Sequence, residues 1–143
     1  DGTIDIVATD HAPHPTEAKE CAWHEAANGM VGLESALSVV QAAVVESGQL
    51  SWSDVARVLS STPAEIGRLA GYDRARQPGT PASLTLSDPS ARRSFSTADL
   101  HGRSTNSPYL DRELPGRVVH VLHGGRVTVA DGILVQPETL EVH

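Results

Sequence analysis

Apolar residues recur along the first half of the chain at helical spacing, and the clearest stripe lies in residues 33–45. Successive members of this stripe are three or four positions apart, which is the period of one helix face. Its members are Leu33, Ala36, Leu37, Val40 and Val44. Ser35, Ser38 and Gln41 lie mostly outside the stripe. The pattern predicts a helix over 33–45 that buries its apolar face and ends before Gly48.

Two further helices are predicted after this one from their start signals. Ser51 precedes an apolar stripe and has Asp54 three positions later, the spacing of a capping box. Thr62-Pro63-Ala64-Glu65 repeats that spacing and places proline at the favoured first helical position. The sequence therefore predicts one helix from Ser51 and a separate one from Thr62 to near Gly71.

The segment that precedes these helices has a different pattern. Residues 4–8 (Ile-Asp-Ile-Val-Ala) are rich in β-branched side chains and have the length of a buried strand. Residues 11–31 show no period and contain Pro13 and Pro15. Loops of this length in a compact domain are usually functional or disordered, so we interpret 11–31 as a functional loop.

After Gly71 the pattern changes to alternation, which indicates strands. A strand over 82–86 is predicted to end at a turn formed by Asp88 and Pro89, and Phe95 can lie in another short strand. Strands over 118–122 and 127–129 flank Gly124-Gly125, a two-residue hairpin signal. A last strand over 133–135 follows a turn. The chain is therefore predicted to be α/β over 1–71 and β-rich over 72–143.

Composition and charge exclude several functional classes. The net charge of −7 argues against a nucleic-acid-binding protein, which needs a basic surface. The single cysteine, Cys21, rules out an internal disulfide and suits a reducing, cytoplasmic location. No apolar run approaches the roughly 20 residues of a membrane span. The 143 residues are also fewer than the roughly 250 of a complete (β/α)8 barrel.

The residues best suited to catalysis are Thr9-Asp10-His11-Ala12-Pro13-His14, which lie directly after the predicted strand at 4–8. Barrel enzymes present catalytic groups at the carboxyl ends of their strands. A carboxylate such as Asp10 can ligate zinc and transfer a proton. A helix cap or a loop hydrogen bond is the alternative for an isolated aspartate, but the neighbouring histidines favour the catalytic interpretation here.

The chain resembles bacterial zinc-type dihydroorotases of the amidohydrolase superfamily over almost its whole length. The matching segments are Asp1-Gly2-Thr3-Ile4-Asp5, Ala8 to His14, Glu17-Ala18-Lys19, Gly29 to Glu34, Ser61-Thr62-Pro63-Ala64, Gly79-Thr80-Pro81-Ala82 and Ser104 to Tyr109. The Asp-His-Ala-Pro-His string is shared with allantoinases. The resemblance implies the C-terminal part of a (β/α)8 TIM-barrel amidohydrolase, with its last strand and helices, followed by part of a small β-sandwich domain.

The resemblance also implies roles for individual residues. Asp10 matches an aspartate that touches one or two zinc ions and acts as general base and acid, while His14 matches a histidine that binds the substrate carboxylate. Asn28 and Gly29 match a pair whose backbone binds the substrate ring. The metal-binding histidines of the family lie on earlier strands, so we expect His11 to be structural. Glu17 and Lys19 are expected to form a salt bridge or anchor the loop.

The implied activity is the reversible hydrolysis of L-dihydroorotate to N-carbamoyl-L-aspartate by zinc-activated hydroxide. The implied partners are the remaining N-terminal part of the enzyme, a second subunit in a homodimer and aspartate carbamoyltransferase. This chain alone is expected to be inactive, because it brings only one metal ligand. Two alternatives remain: another cyclic amidase, such as an allantoinase or hydantoinase, and a non-catalytic dihydroorotase-like scaffold subunit.

Overall fold

The computed structural model describes residues 2–72 and 77–136, and Asp1 lies outside them. Its first half is helical and its second half forms one antiparallel sheet. The helical segments are α1 (Ala36–Val40) with its π-helical continuation Gln41–Val45, α2 (Trp52–Ala56) with its π-helical continuation Arg57–Ser61, α3 (Thr62–Ile66), and 3-10 turns at Thr16–Ala18 and Thr97–Asp99. No helix of the described residues is both long and apolar enough to cross a membrane.

The predicted strand over 4–8 is wrong for the described chain. Residues 4–10 lie in no strand, and Ile4 and Val7 are 73% and 39% exposed. A strand needs a neighbouring strand to satisfy its backbone N–H and C=O groups. Here the Val7 N–H instead donates to the carbonyl of Val58, a helical residue, at 3.0 Å. The β-branched composition is therefore present without the partner that would make it a strand.

The helix predicted over 33–45 exists, but its predicted buried face is only partly confirmed. The helix begins at Ala36, Val40 of the predicted stripe is buried, and Leu33 is 61% exposed. Ser35, Ser38 and Gln41, which were predicted to lie mostly outside the stripe, are also buried, at 2%, 7% and 3% exposure. The polar face can be buried because it packs where backbone acceptors are available: Gln41 Nε2 donates to the Pro89 carbonyl at 2.8 Å.

The helix predicted to begin at Ser51 is confirmed. An α-helical segment, α3, begins at Thr62 as predicted, but the capping box predicted there is wrong, and α3 ends at Ile66 instead of near Gly71. Ser51 Oγ accepts from the Asp54 N–H at 3.3 Å, and Asp54 Oδ2 accepts from the Ser51 N–H at 3.0 Å. Thr62 has helical dihedrals, φ −65° and ψ −44°, so the helix continues through it. The wider π-helical turn over Arg57–Ser61 accommodates Pro63, whose ring would clash with a carbonyl of a regular α-helix.

The sheet confirms the hairpin prediction. Its strands are β1 (Leu84–Ser94), β2 (Glu113–His123), β3 (Arg126–Ala130) and β4 (Ile133–Leu134), paired antiparallel in the order β1-β2-β3-β4. Gly124 and Gly125 form the β2–β3 turn, as predicted. The predicted turn at Asp88-Pro89 is wrong, because β1 continues past it through a bulge between Asp88 and Arg92. Bulges are among the few sheet positions that tolerate proline.

The helices and the sheet share one small core. Its apolar members are Val31, Val40, Val55, Val58, Ala64, Phe95 and Leu114, with Phe95 only 1% exposed. Phe95 follows β1, and its N–H donates to the Arg112 carbonyl at 2.9 Å. The segment between Phe95 and Arg112 loops back to the first half of the chain, where the Asn106 carbonyl accepts from the Val31 N–H at 2.9 Å. This return loop connects the sheet half with the loop over 11–31.

Candidate functional site

Asp10 has an uncommon backbone conformation. It is exposed and has φ +44°, a value that non-glycine residues rarely adopt. The other described non-glycine residues with positive φ are Arg68, Asp111 and Asp131, and all three lie in turns. Uncommon dihedrals outside turns concentrate at functional sites, where surrounding contacts hold them.

His11 supplies one of those contacts and has a structural role, as expected. Its Nδ1 accepts hydrogen bonds from the N–H groups of Gly32 at 3.1 Å and Leu33 at 3.3 Å. Nδ1 must therefore be unprotonated. His11 also pairs with Met30 in an isolated parallel bridge, in which the Met30 carbonyl accepts from the Ala12 N–H at 2.9 Å. The backbone on the C-terminal side of Asp10 is thus fixed to residues 30–33.

The three predicted substrate-binding residues lie together. His14 Nε2 is 2.7 Å from the Asn28 carbonyl and must donate to it, because a carbonyl oxygen only accepts. Gly29 follows directly with φ +114°, and a Cβ built on it would lie 2.5 Å from Ala12 Cβ. Only glycine fits here, because both the dihedral and the space exclude a side chain.

Two more residues complete this cluster, and the sequence analysis assigned neither of them a site role. Lys19 Nζ donates to the carbonyls of Ala27 at 2.5 Å and Gly29 at 3.0 Å, so the expectation that it anchors the loop is confirmed. Asn106 Nδ2 donates to the same Gly29 carbonyl at 2.9 Å. Asn106 is 77 positions from Gly29, and no local spacing signals that contact.

A cavity of about 230 Å³ opens beside the cluster. Residues of both halves of the chain line it, among them His14, Lys19, Glu20, Ser104 and Asn106. Ser104 is buried, and its Oγ accepts from the Asn106 N–H at 3.3 Å. The cavity is open to solvent, and its volume is below the range of about 300–1,000 Å³ typical of drug-sized ligands.

A carboxylate with a shifted pKa stabilises the start of the return loop. Burial raises the pKa of Asp99, but hydrogen bonds from Ser96 and the positive charge of Arg93 outweigh it and leave the pKa lowered. Asp99 pairs with Arg93, whose guanidinium also lies 5.7 Å from the Phe95 ring centroid. The loop that carries Asn106 is thereby tied to the buried end of β1.

The described residues do not form a complete metal site. Within 2–72 and 77–136, no three His, Cys, Asp or Glu side chains are grouped closely enough to hold a metal ion. Zinc sites in enzymes need at least three protein ligands. Asp10 can supply one carboxylate ligand, so any zinc site containing it needs ligands from elsewhere.

Comparison with known sequences identifies close relatives. No family model matches the chain. A dihydroorotase from Leifsonia xyli is 62% identical over 136 residues, which are 95% of this chain and 31% of that protein. Dihydroorotases from Streptomyces coelicolor and Mycobacterium tuberculosis are 54% and 48% identical over 94% and 92% of the chain, and it covers 31% of each. The chain thus spans about a third of the length of these relatives.

Comparison with solved structures finds the same architecture in cyclic-amide hydrolases. A D-hydantoinase (dihydropyrimidinase) from Thermus sp. matches 95% of the chain with a TM-score of 0.83 and 28% identity, and the chain covers 30% of it. An L-hydantoinase from Arthrobacter aurescens matches 94% with a TM-score of 0.84 and 27% identity, and the chain covers 31% of it. The sequence relatives decide between these names: the chain belongs to the dihydroorotase family, as a C-terminal portion of about 31% of the full length.

Proposed function

We propose that the complete protein containing this chain is a dihydroorotase, which interconverts L-dihydroorotate and N-carbamoyl-L-aspartate in pyrimidine (UMP) biosynthesis. The observation that supports this most directly is the 62% identity to the Leifsonia xyli dihydroorotase over 95% of the chain. The proposal includes a cytoplasmic location.

Within that enzyme, we propose that the first half of the chain forms the end of a (β/α)8 barrel and the sheet forms part of a small β-domain. Exposed apolar side chains support this arrangement. Ile4, Leu33, Ile66 and Leu69 are between 56% and 73% exposed. Burial of such side chains contributes about 1.5–3 kcal/mol each, so a surface like this favours a partner. The rest of the same enzyme is the proposed partner, and a homodimer and contact with aspartate carbamoyltransferase remain predictions.

Asp10 is the proposed proton-transfer residue. Hydrolysis of a cyclic amide requires a base that removes a proton from the attacking oxygen and an acid that delivers it to the leaving nitrogen. One carboxylate can do both in sequence, and the fixed backbone around Asp10 keeps it in one place. We also propose Asp10 as a ligand of a site for one or two zinc ions, completed by residues outside this chain.

His14, Asn28 and Gly29 are the proposed substrate-binding residues. The bond from His14 Nε2 to the Asn28 carbonyl leaves Nδ1 for an incoming ligand. Nδ1 can donate to a substrate carboxylate only when the imidazole is protonated, which suits an anionic substrate. The backbone of Asn28 and Gly29 is proposed to bind the substrate ring, and their N–H groups point away from the Ala27 and Asn28 carbonyls, which accept hydrogen bonds from Lys19 and His14.

A hydantoinase-type cyclic amidase is the second candidate, because the solved structures with TM-scores of 0.83 and 0.84 are hydantoinases. The chain is 27–28% identical to these hydantoinases but 62% identical to the Leifsonia xyli dihydroorotase, so dihydroorotase activity is favoured over hydantoinase activity. A non-catalytic scaffold role is the third candidate, because an inactive dihydroorotase-like domain from Chaetomium thermophilum matches the chain with a TM-score of 0.54.

The test is a substrate panel with the purified full-length protein. L-dihydroorotate, hydantoin, dihydrouracil and allantoin are supplied in turn, and ring opening is followed by loss of absorbance or by product mass. We expect kcat/KM for L-dihydroorotate to exceed that for each other substrate at least tenfold. Preference for hydantoin or allantoin would establish the second candidate, and no turnover of any substrate would establish a scaffold. Residues 1–143 alone should be inactive.

A further inference from the structure

Three consecutive carbonyl groups in the loop each accept a hydrogen bond from a side chain. The Ala27 carbonyl accepts from Lys19, the Asn28 carbonyl from His14, and the Gly29 carbonyl from both Lys19 and Asn106. An ammonium group has three donors and can serve two carbonyls at once. The backbone of residues 27–29 is thus held by side chains, although it lies in no helix or strand.

These bonds determine where the N–H groups of the loop point. In a trans peptide, the N–H points opposite to the C=O of the preceding residue. Lys19 donates to the carbonyls of Ala27 and Gly29. The N–H groups of the residues that follow them, Asn28 and Met30, must therefore face away from the Lys19 ammonium. Without its two donors, the Gly29 peptide could rotate, because a glycine with φ +114° has few steric barriers to other conformations.

The contacts that fix the backbone next to Asp10 are separate from the hydrogen bonds of Lys19 and Asn106. Asp10 is followed by His11, which is fixed through Nδ1 to the N–H groups of Gly32 and Leu33. Ala12 is fixed to the Met30 carbonyl. None of these bonds uses the side chain of Lys19 or Asn106. A change at either residue should therefore move the loop over 27–29 and leave Asp10 in place.

We propose that Lys19 and Asn106 are positioning residues, which hold the backbone of residues 27–29 in the orientation that binds substrate. The proposal rests on the proposed function of this site. Lys19 and Asn106 act through the peptide groups and do not touch the reacting atoms. Since the loop binds substrate and transition state alike, its disorder weakens both equally, which raises KM and leaves kcat unchanged.

The kinetic test uses the full-length enzyme with Lys19→Met and Asn106→Leu, which remove the donors at similar side-chain size. We expect KM to rise about tenfold for Lys19→Met and less for Asn106→Leu, with kcat within about twofold of wild type. Both residues donate to one oxygen, so the double variant should fall short of the product of the single effects. Lys19→Arg, which keeps a donor, should recover part of the loss. Arg126→Met, which removes a positive charge from the exposed hairpin, is the control.

Hydrogen exchange provides a readout that does not depend on activity. A peptide covering residues 26–31 should exchange faster in Lys19→Met and Asn106→Leu than in wild type or Arg126→Met. Unchanged exchange in this peptide, or a fall in kcat at constant KM, would overturn the proposal. If wild type turns over no dihydroorotate, the proposed function fails. Faster exchange would then still show that Lys19 and Asn106 hold the loop.

Discussion

Substitution of Gly29 by alanine provides the sharpest structural test of the substrate-binding loop. The new Cβ would lie 2.5 Å from Ala12 Cβ and 3.1 Å from the Ala12 carbonyl, whereas ordinary contact begins near 3.4 Å. Relief of such overlap typically costs about 1–3 kcal/mol. A φ of +114° adds about 1–3 kcal/mol for a residue with a side chain. The two costs add to about 2–6 kcal/mol, and a value in the lower half of that range, about 3 kcal/mol, already corresponds to roughly a 100-fold loss if the loop shifts instead.

The assay is kcat/KM for L-dihydroorotate with the full-length enzyme, and two other glycines serve as controls. Gly48 has φ +72° and nothing near its Cβ position but lies outside the candidate site, so Gly48→Ala introduces a strained dihedral away from the loop over 27–29. Gly102 has open space and no positive φ, so Gly102→Ala should be neutral. We expect a loss of about 100-fold for Gly29→Ala and less than twofold for both controls. Activity of Gly29→Ala within threefold of wild type would refute the reasoning.

Three further predictions concern the stability of the fold, each measured by denaturant or thermal unfolding of the full-length protein. Phe95→Ala should cost about 3–5 kcal/mol, because Phe95 is 1% exposed, and a loss under 1 kcal/mol would contradict its core position. Gln41→Leu should cost about 0.5–1.5 kcal/mol, because it removes the hydrogen bond of the buried Gln41 amide to the Pro89 carbonyl and leaves that carbonyl only its longer bond from Arg92, and equal stability would contradict this. The hydrogen bond from Ser51 holds the pKa of the Asp54 carboxyl below its ordinary value of 3.8. The stabilisation of the fold by this bond is therefore present above pH 3.8 and is lost as the pH falls through the lowered pKa. Ser51→Ala should weaken that acid dependence, and an unchanged pH profile would argue against the capping box.

Local signals in the sequence were sufficient to predict parts of the fold. The Gly124-Gly125 hairpin depends on two adjacent residues that must adopt positive φ, here +56° and +84°. The capping box of Ser51 and Asp54 likewise forms within four residues. Such features need no distant partner, so the sequence alone predicts them.

Features that depend on distant contacts were predicted less well. Gln41, in the continuation of α1, is buried because it meets a β1 carbonyl 48 positions later, which no helical period indicates. The segment over 4–8 has a strand composition, but its partner is absent from the described chain. At the candidate site, the resemblance indicated His14, Asn28 and Gly29, and the structure places them together. The contact of Asn106 with Gly29 required the fold.

The proposed proton transfer by Asp10 is tested most directly by the turnover of L-dihydroorotate by full-length Asp10→Asn. Asparagine keeps the shape of the side chain but removes its charge and its capacity to accept a proton. We expect kcat to fall at least 1,000-fold, near the middle of the range of about 10²–10⁴ for general acid–base catalysis. Unfolding should remain close to wild type. A variant that folds and retains most of its turnover would contradict the assignment.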